Sequence, residues 1–188
     1  MAPPTVGVII TTEVTETPAG SAAVTLRDAS PEEADAIGVL LRAAYAQYES
    51  AYTPQDWPRY YALLGEVSRH FEHAQVIVAE QGGVLAGSVM YYPDGSRSGQ
   101  GEWPEGWAGI LRLAVHPDFR GQGIGRLLTE ECVRRARAAG KRTIALHATE
   151  WMAVSRGMYL RMGFVRDESF DFVTRGGTHA MGFRLDLG

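Results

Sequence analysis

The stretch LAVHPDFRGQGIGRLL, residues 113–128, decides the fold because a strand, a turn and a helix meet within it. Its first three residues end an apolar run that is typical of a buried strand. Gly121, Gly123 and Gly125 follow at alternate positions and leave the backbone uncovered where the next helix begins. We therefore expect a tight turn with exposed peptide N–H groups at the start of that helix.

Exposed N–H groups at the positive end of a helix dipole form an anion site, and two arginines bracket this one. No lysine follows the glycines as in a P-loop, and the third glycine is one residue early for G-x-G-x-x-G. We expect a pyrophosphate as the ligand, bound by a sequence pattern that is neither the P-loop nor G-x-G-x-x-G. The candidate binding residues are Arg120, Gly121, Gln122, Gly123, Ile124, Gly125 and Arg126.

The whole chain has 188 residues, a net charge of −4 and one cysteine. This length predicts one globular domain over residues 23–188, preceded by a flexible tail at 1–22 or by a short strand at Val6–Thr11. The acidic balance and the lack of a long apolar run predict no nucleic-acid and no membrane partner. A lone Cys132 on a helix face predicts core packing, and we expect a cytoplasmic location without a secretory signal.

The periodicity of apolar residues and the turn signals predict strands and helices in a mixed order. The elements are a strand at 23–27, a helix at 30–48 with a Ser30/Glu33 capping box, a helix from Thr53 towards Phe71, a hairpin at 75–92, a strand at 108–115, a helix at 123–140, a strand at 142–149, a helix at 151–162 and two strands within 163–187. This order predicts an α/β (α+β) fold with helices on both faces of a mixed sheet.

The same stretch resembles the acetyl-CoA-binding segment of the GNAT superfamily of N-acetyltransferases, whose pattern is [RQ]-x-x-G-x-[GA] after a strand. Arg120, Gly123 and Gly125 fill its fixed positions. MYLRMGF, residues 158–164, is similar to the second signature of that superfamily. The element order agrees from residue 23 to the end of the chain.

The resemblance implies a fold of about six to seven strands and four helices, with a sheet that splits at its middle. Acetyl-CoA would be the co-substrate, without a metal, and its pantetheine arm would bind along Leu113, Ala114 and Val115. Ser155 stands where the family more often has alanine, and its hydroxyl would add a contact to the cofactor. Met152 replaces the asparagine that is usual near the start of that helix, so one contact to the arm is in doubt. Homodimers are common in the family.

The resemblance also implies catalytic roles. Tyr159 matches the tyrosine that many members place near the CoA sulfur, where its phenol would stabilise the leaving thiolate. His147 stands where amine-acetylating members often have a glutamate, and its imidazole would accept a proton from the amine. Glu150 is a second candidate base.

The resemblance further implies that the acceptor site is built mainly by the first two helices and nearby loops. Here these segments contain aromatic rings and carboxylates that suit a primary amine with an apolar body, on a small molecule or a peptide. The candidates are Tyr45, Tyr48, Glu49, Tyr52, Asp56, Trp57 and Tyr60, with Tyr91 and Tyr92 across the hairpin. A non-catalytic acetyl-CoA sensor and a module for another phosphorylated ligand remain alternatives. His70 and His73 are expected on a solvated helix face rather than at a metal.

Overall fold

The computed structural model describes residues 23–188, so the predicted tail at 1–22 and the alternative strand at Val6–Thr11 lie outside the described residues. Within that range the chain forms eight strands and four α-helices. The strands are β1 Val24–Asp28, β2 Gln75–Gln81, β3 Val84–Tyr92, β4 Trp107–Val115, β5 Thr143–Ala148, β6 Val165–Arg166, β7 Phe172–Val173 and β8 His179–Asp186. The helices are α1 Ala34–Tyr45, α2 Asp56–Leu64, α3 Ile124–Ala138 and α4 Ala153–Arg161.

The strands form one sheet in the order β1-β2-β3-β4-β5-β8-β6, with β7 on β8. All neighbouring pairs are antiparallel except β4 and β5, which are parallel. The predicted mixed α/β class is therefore confirmed. The structure has one strand more than the seven expected, because the segment 163–187 forms β6, β7 and β8 instead of two strands. β6 and β7 have two residues each and are too short to leave a periodic pattern in the sequence.

The sheet opens between its two parallel strands. Pairing of β4 with β5 ends at Ile110 and Leu146, although β4 continues to Val115. In the same region Arg112 and Leu113 oppose the single Val89 of β3, which is a β-bulge. A bulge bends its strand and increases its twist. The gap predicted from the resemblance thus begins where β4 bends away from β5.

Apolar residues fill both faces of the sheet. On one face the alternate residues Ile77 and Ala79 of β2 pack in a cluster with residues of α3 and α4. On the other face Val76 and Val78 pack with residues of α1 and α2. Cys132 is fully buried in the first cluster, as predicted, and this burial raises the pKa of its thiol.

The first two helices depart from the predicted boundaries at their C-terminal ends. α1 ends at Tyr45 and continues as a 3-10 segment, Ala46–Ala51. α2 ends at Leu64 instead of extending towards Phe71, so the predicted C-terminal end of this helix is wrong. Gly65 follows, and a Cβ there would lie 2.2 Å from Nη2 of Arg42. The helix therefore ends where its backbone contacts a side chain of α1, which periodicity in sequence does not reveal.

Candidate active site

The glycine-rich corner, residues 121–126, connects the end of β4 to α3. Gly121 and Gly123 have φ angles of 78° and 79°, which favour glycine, and a Cβ at either position would meet no neighbouring atom. Gly121, Gln122 and Gly123 are exposed. The chain therefore uses glycine here to turn the backbone outward and leave it uncovered.

Among the residues that the structure describes, the peptide N–H groups of the glycine-rich corner have no hydrogen-bond acceptor. The first hydrogen bond of α3 runs from the Leu127 N–H to the Gly123 carbonyl at 3.0 Å. Within residues 23–188, none of the six N–H groups from Gly121 to Arg126 donates to a protein acceptor. Six unpaired donors at the positive end of a 15-residue helix form a site for an anion.

Gly125 joins this corner to the gap in the sheet. A Cβ at Gly125 would lie 3.6 Å from Val115, 3.9 Å from Leu113 and 3.7 Å from the sulfur of Met158. Val115 and Leu113 belong to the unpaired end of β4, and Met158 precedes Tyr159 in α4. The structure thus brings together the two sequence signatures, which lie about 35 residues apart.

The two bracketing arginines have protein partners. Nη2 of Arg120 donates to the carbonyl of Ala44 at 2.9 Å and ties the corner to the end of α1. Nε of Arg126 donates to Glu130 at 2.7 Å in an exposed pair. The expected phosphate contacts of both arginines stay predictions, and Arg120 has a structural bond that the sequence did not indicate.

The unpaired end of β4 also contacts the first helix. The hydroxyl of Tyr45 donates to the carbonyl of Leu113 at 3.3 Å. Ala114 and Val115 pair on their other side with Ser88 and Gly87 of β3. The three residues predicted to contact a pantetheine arm therefore lie on the edge of β4 that β5 leaves unpaired. The Leu113 carbonyl already accepts the hydrogen bond from Tyr45.

Tyr159 lies buried in α4, with its ring 5.7 Å from that of Phe164. Burial raises the pKa of its phenol well above the usual range, and Tyr45 and Tyr48 are among its electrostatic neighbours. A phenol in this setting keeps its proton and acts as a hydrogen-bond donor. The Tyr159 hydroxyl can therefore stabilise a negative charge by donating a hydrogen bond, but it does not readily release its own proton.

His147 lies on the β5 side of the gap, enclosed by aromatic residues. Its Nε2 is 2.8 Å from the carbonyl of Phe170, and its ring stacks on Trp103 with centroids 4.4 Å apart. A carbonyl only accepts, so Nε2 must carry the hydrogen and Nδ1 is left to accept a proton. Burial lowers the pKa of His147. Among the described residues no contact connects His147 to Tyr159.

The remaining predicted residues surround the start of α4. Ser155 is half-buried in its first turns. Met152 stands immediately before the helix and packs against both core clusters, so the position of the usual asparagine is filled by an apolar side chain. Glu150 is exposed, and its carbonyl accepts from Arg156 at 2.7 Å.

Aromatic rings from α1, the segment after it, α2 and the loop after β5 pack together in a second group, which we call the aromatic cleft. Tyr52 stacks on Tyr60 with centroids 4.9 Å apart, and Tyr52 also contacts Trp57 at 5.5 Å and Trp151 at 5.6 Å. Tyr45 contacts Tyr48 and Tyr60 at 5.9 and 6.1 Å. The cleft comprises Tyr45, Tyr48, Tyr52, Trp57, Tyr60 and Trp151.

The two hairpin tyrosines do not line this cleft as predicted. Tyr91 is buried in the opposite core cluster, on the face of α3. Tyr92 is buried beneath the α1 and α2 face, where its hydroxyl hydrogen-bonds Nδ1 of His70. His70 is consequently buried rather than solvated, and this burial lowers its pKa to about 4. Successive strand residues face opposite sides, so both tyrosines could not have faced the cleft.

Sequence reasoning missed Trp151 and Arg112. Trp151 completes the aromatic cleft, and nothing in the sequence marks it as a neighbour of Tyr52. Arg112 is 91% buried in β4, and its Nη1 has no hydrogen-bond partner in the described part of the chain. A charge inside the apolar run ILRLAV is a signal that was available, because arginine is rarely buried without a partner.

No group of three or more potential metal ligands occurs among residues 23–188. The same residues contain no helix with the length and apolar character needed to cross a membrane.

The model of the acetyltransferase (GNAT) family matches residues 39–164, which is more than half of the chain. The chain belongs to the GNAT family. This match contains the glycine-rich corner, the unpaired end of β4 and Tyr159, and its last residue is Phe164 of the second signature. The resemblance that rests on these residues is thereby confirmed.

Individual GNAT proteins are similar over most of the chain. The mycothiol acetyltransferase of Geodermatophilus obscurus is 28% identical over 151 residues, which are 79% of this chain and 46% of that protein. The chain thus spans less than half of that relative.

The PaiA N-acetyltransferase of Thermoplasma acidophilum, solved with coenzyme A, has a TM-score of 0.65 at 18% identity and covers 85% of this chain and 98% of its own. A GNAT acetyltransferase of Brucella melitensis, solved with acetyl-CoA, has a TM-score of 0.58 at 25% identity, with coverages of 88% and 89%.

Proposed function

We propose that this protein transfers an acetyl group from acetyl-CoA to a primary amine by direct attack in a ternary complex. The observation that carries the proposal is the run of six unpaired N–H groups in the glycine-rich corner, next to a gap in the sheet. Such donors match the oxygens of a pyrophosphate, and the helix dipole favours their negative charge. Membership of the GNAT family supports the same ligand.

The residues fit acetyl-CoA as a co-substrate along a continuous path. The pyrophosphate would bind the N–H groups of the glycine-rich corner, and Gly125 has no side chain that would stand between this corner and Val115. The pantetheine arm would then follow Leu113, Ala114 and Val115, which β5 leaves unpaired. The two solved relatives hold coenzyme A and acetyl-CoA, which supports this assignment.

The reaction forms a C–N bond to the amine, breaks the C–S bond of the thioester and moves one proton from nitrogen. A lysine-like amine has a pKa near 10.4, so about one molecule in 2,500 is neutral at pH 7, a deficit of roughly 4.6 kcal/mol. In our proposal Nδ1 of His147 accepts the proton, directly or through water, and the Tyr159 hydroxyl donates a hydrogen bond to the departing sulfur.

Binding of the purified protein to acetyl-CoA, ATP and NAD would test the ligand, and a screen of amine acceptors by mass spectrometry would test the transfer. A ligand at 100 times its dissociation constant stabilises the folded state by about 2.7 kcal/mol, which a thermal-shift assay detects. We expect acetyl-CoA alone to give this shift, and we expect thiol release to depend on an added amine. Equal shifts with ATP or NAD would refute the acetyl-CoA site. Binding without thiol release from any amine would instead indicate a non-catalytic sensor.

A further inference from the structure

Arg112 is a buried cation without a protein anion. The residue is 9% exposed, and its Nη1 is buried without a hydrogen-bond partner in the described chain. No carboxylate of the described residues forms an ion pair with it. Four half-buried arginines pair with carboxylates: Arg27 with Glu33 and Glu80, Arg135 with Asp28 and Glu131, Arg166 with Asp171, and Arg184 with Asp167. Arg42 and Arg156 are also half-buried, and they donate to the backbone carbonyls of Tyr61 and Glu150 instead. Arg112 is more buried than these six.

The surroundings of Arg112 supply rings and a second cation. Its main electrostatic neighbours are Tyr60, Tyr45, Tyr92 and Arg69, and burial lowers the pKa of its guanidinium. A buried guanidinium loses its hydration and is stabilised only by hydrogen bonds or an opposite charge. Because the neighbouring residues leave Nη1 unpaired, the free protein carries a desolvated donor that an incoming anion would satisfy.

The backbone of β4 places Arg112 next to the residues that we propose to hold the pantetheine arm of acetyl-CoA. Arg112 occupies the bulge of β4 with a φ of 53°, a left-handed conformation that is uncommon for a residue other than glycine. It directly precedes Leu113, the first residue proposed to hold the pantetheine arm. Strained backbone of this kind persists where surrounding structure holds it, and it is concentrated at ligand sites.

Two further buried polar atoms without partners lie in the segment after β5, and one of them belongs to the aromatic cleft. Thr149 Oγ1 and Trp151 Nε1 are buried without hydrogen-bond partners in the described chain. Trp151 contacts Tyr52, which stacks on Tyr60, a neighbour of Arg112. The indole N–H and the guanidinium are donors only, and the hydroxyl can donate. Arg112 Nη1 and Trp151 Nε1 are therefore two buried donors without an acceptor among the described residues.

We propose that the amine acceptor of this protein carries a carboxylate and that Arg112 binds it within the aromatic cleft. The inference rests on the proposed function, since it names the class of acceptor for that site. Arg112 directly precedes Leu113, the first residue proposed to hold the pantetheine arm, so we expect the amine and the carboxylate of the acceptor to be separated by only a few bonds, as in an amino acid. The planar fork of arginine matches the two oxygens of a carboxylate.

The test compares acids with their neutral analogues in the wild-type protein and two variants. The probes are phenylalanine, alanine and glycylglycine, each paired with its C-terminal amide. For each pair we would measure kcat/KM for thiol release from acetyl-CoA, and binding without acetyl-CoA by calorimetry. We expect wild type to prefer each productive acid over its amide by about 10- to 100-fold, as for a hydrogen bond to a charged group.

Arg112→Met removes the charge at similar length and should reduce that ratio to about 1 while binding acetyl-CoA as wild type does. Arg69→Met is the matched control, because Arg69 is an exposed arginine near the same cation and pairs with Glu66. It should leave the acid-to-amide ratio unchanged.

Several results would overturn the proposal. These are equal binding of acids and amides to wild type, a preference for amides, no binding of any acid, or an acid preference that survives Arg112→Met. If the Arg112 variant does not fold, the wild-type acid-to-amide ratio decides alone. Failure of the proposed function is a separate result, because it appears as absent acetyl-CoA binding while calorimetry still reports whether acids bind at Arg112.

Discussion

The glycine-rich corner and the aromatic cleft both adjoin Leu113, but they are built in different ways. The corner consists of main-chain N–H groups from six consecutive residues. The cleft consists of side chains from α1, the 3-10 segment after it, α2 and the loop after β5. A site made of local backbone is defined by a short pattern of residue types, whereas a site made of distant side chains depends on how the whole chain packs.

Gly123→Asp should produce the largest effect, because it places a carboxylate at the proposed pyrophosphate site and a Cβ at a φ of 79°. We expect acetyl-CoA affinity to fall at least about 100-fold, or about 2.7 kcal/mol, in calorimetry. Gly140→Asp is the control, since Gly140 also has a positive φ and open space, but at the other end of α3. Equal losses in both variants would attribute the effect to backbone strain and remove the anion site.

This contrast explains what the sequence could predict. The exposed turn of the corner, the hairpin and the order of elements were confirmed because each depends on neighbours a few residues apart. Tyr91 was wrongly assigned to the cleft because two adjacent strand residues cannot face the same side. Trp151 and Arg112 were missed because their surroundings come from α1, α2 and β3, far away in sequence. The end of α2 was missed for the same reason, since a contact with Arg42 accompanies it.

Tyr159→Phe tests whether the Tyr159 hydroxyl takes part in the reaction, in contrast to the corner, whose backbone is proposed only to bind the cofactor. We expect kcat to fall about 100-fold, in the range for loss of a positioned acid, with acetyl-CoA affinity unchanged. Tyr91→Phe is the matched control, because Tyr91 is also buried and its hydroxyl has no partner among the described residues. An unchanged kcat in Tyr159→Phe would leave Tyr159 as a core residue only.

His147→Gln tests the proposed base, a side chain, through the pH dependence of kcat/KM. The neutral imidazole is the active form in our proposal, so kcat/KM should fall as the pH drops through the pKa of His147. Burial lowers that pKa, so the fall should occur below the usual value near 6.5. Glutamine can still donate to the Phe170 carbonyl but cannot act as the base.

We expect kcat/KM of His147→Gln to be about 10-fold lower at pH 7 and to lose this acid limb. A pH profile with an intact limb would mean that the enclosed histidine is structural and that the base lies elsewhere.

Arg126→Gln should have the smallest effect, and it measures how much the corner depends on side chains. Arg126 forms an exposed pair with Glu130, and such pairs contribute about 0.3–0.5 kcal/mol to stability. If main-chain N–H groups supply most of the anion binding, acetyl-CoA affinity should fall only about threefold and depend less on salt concentration. Arg134→Gln is the control, because Arg134 forms a similarly exposed pair with Glu131 on the same helix. A loss in Arg126→Gln as large as that in Gly123→Asp would show that charge on side chains, rather than free backbone donors, holds the phosphate groups.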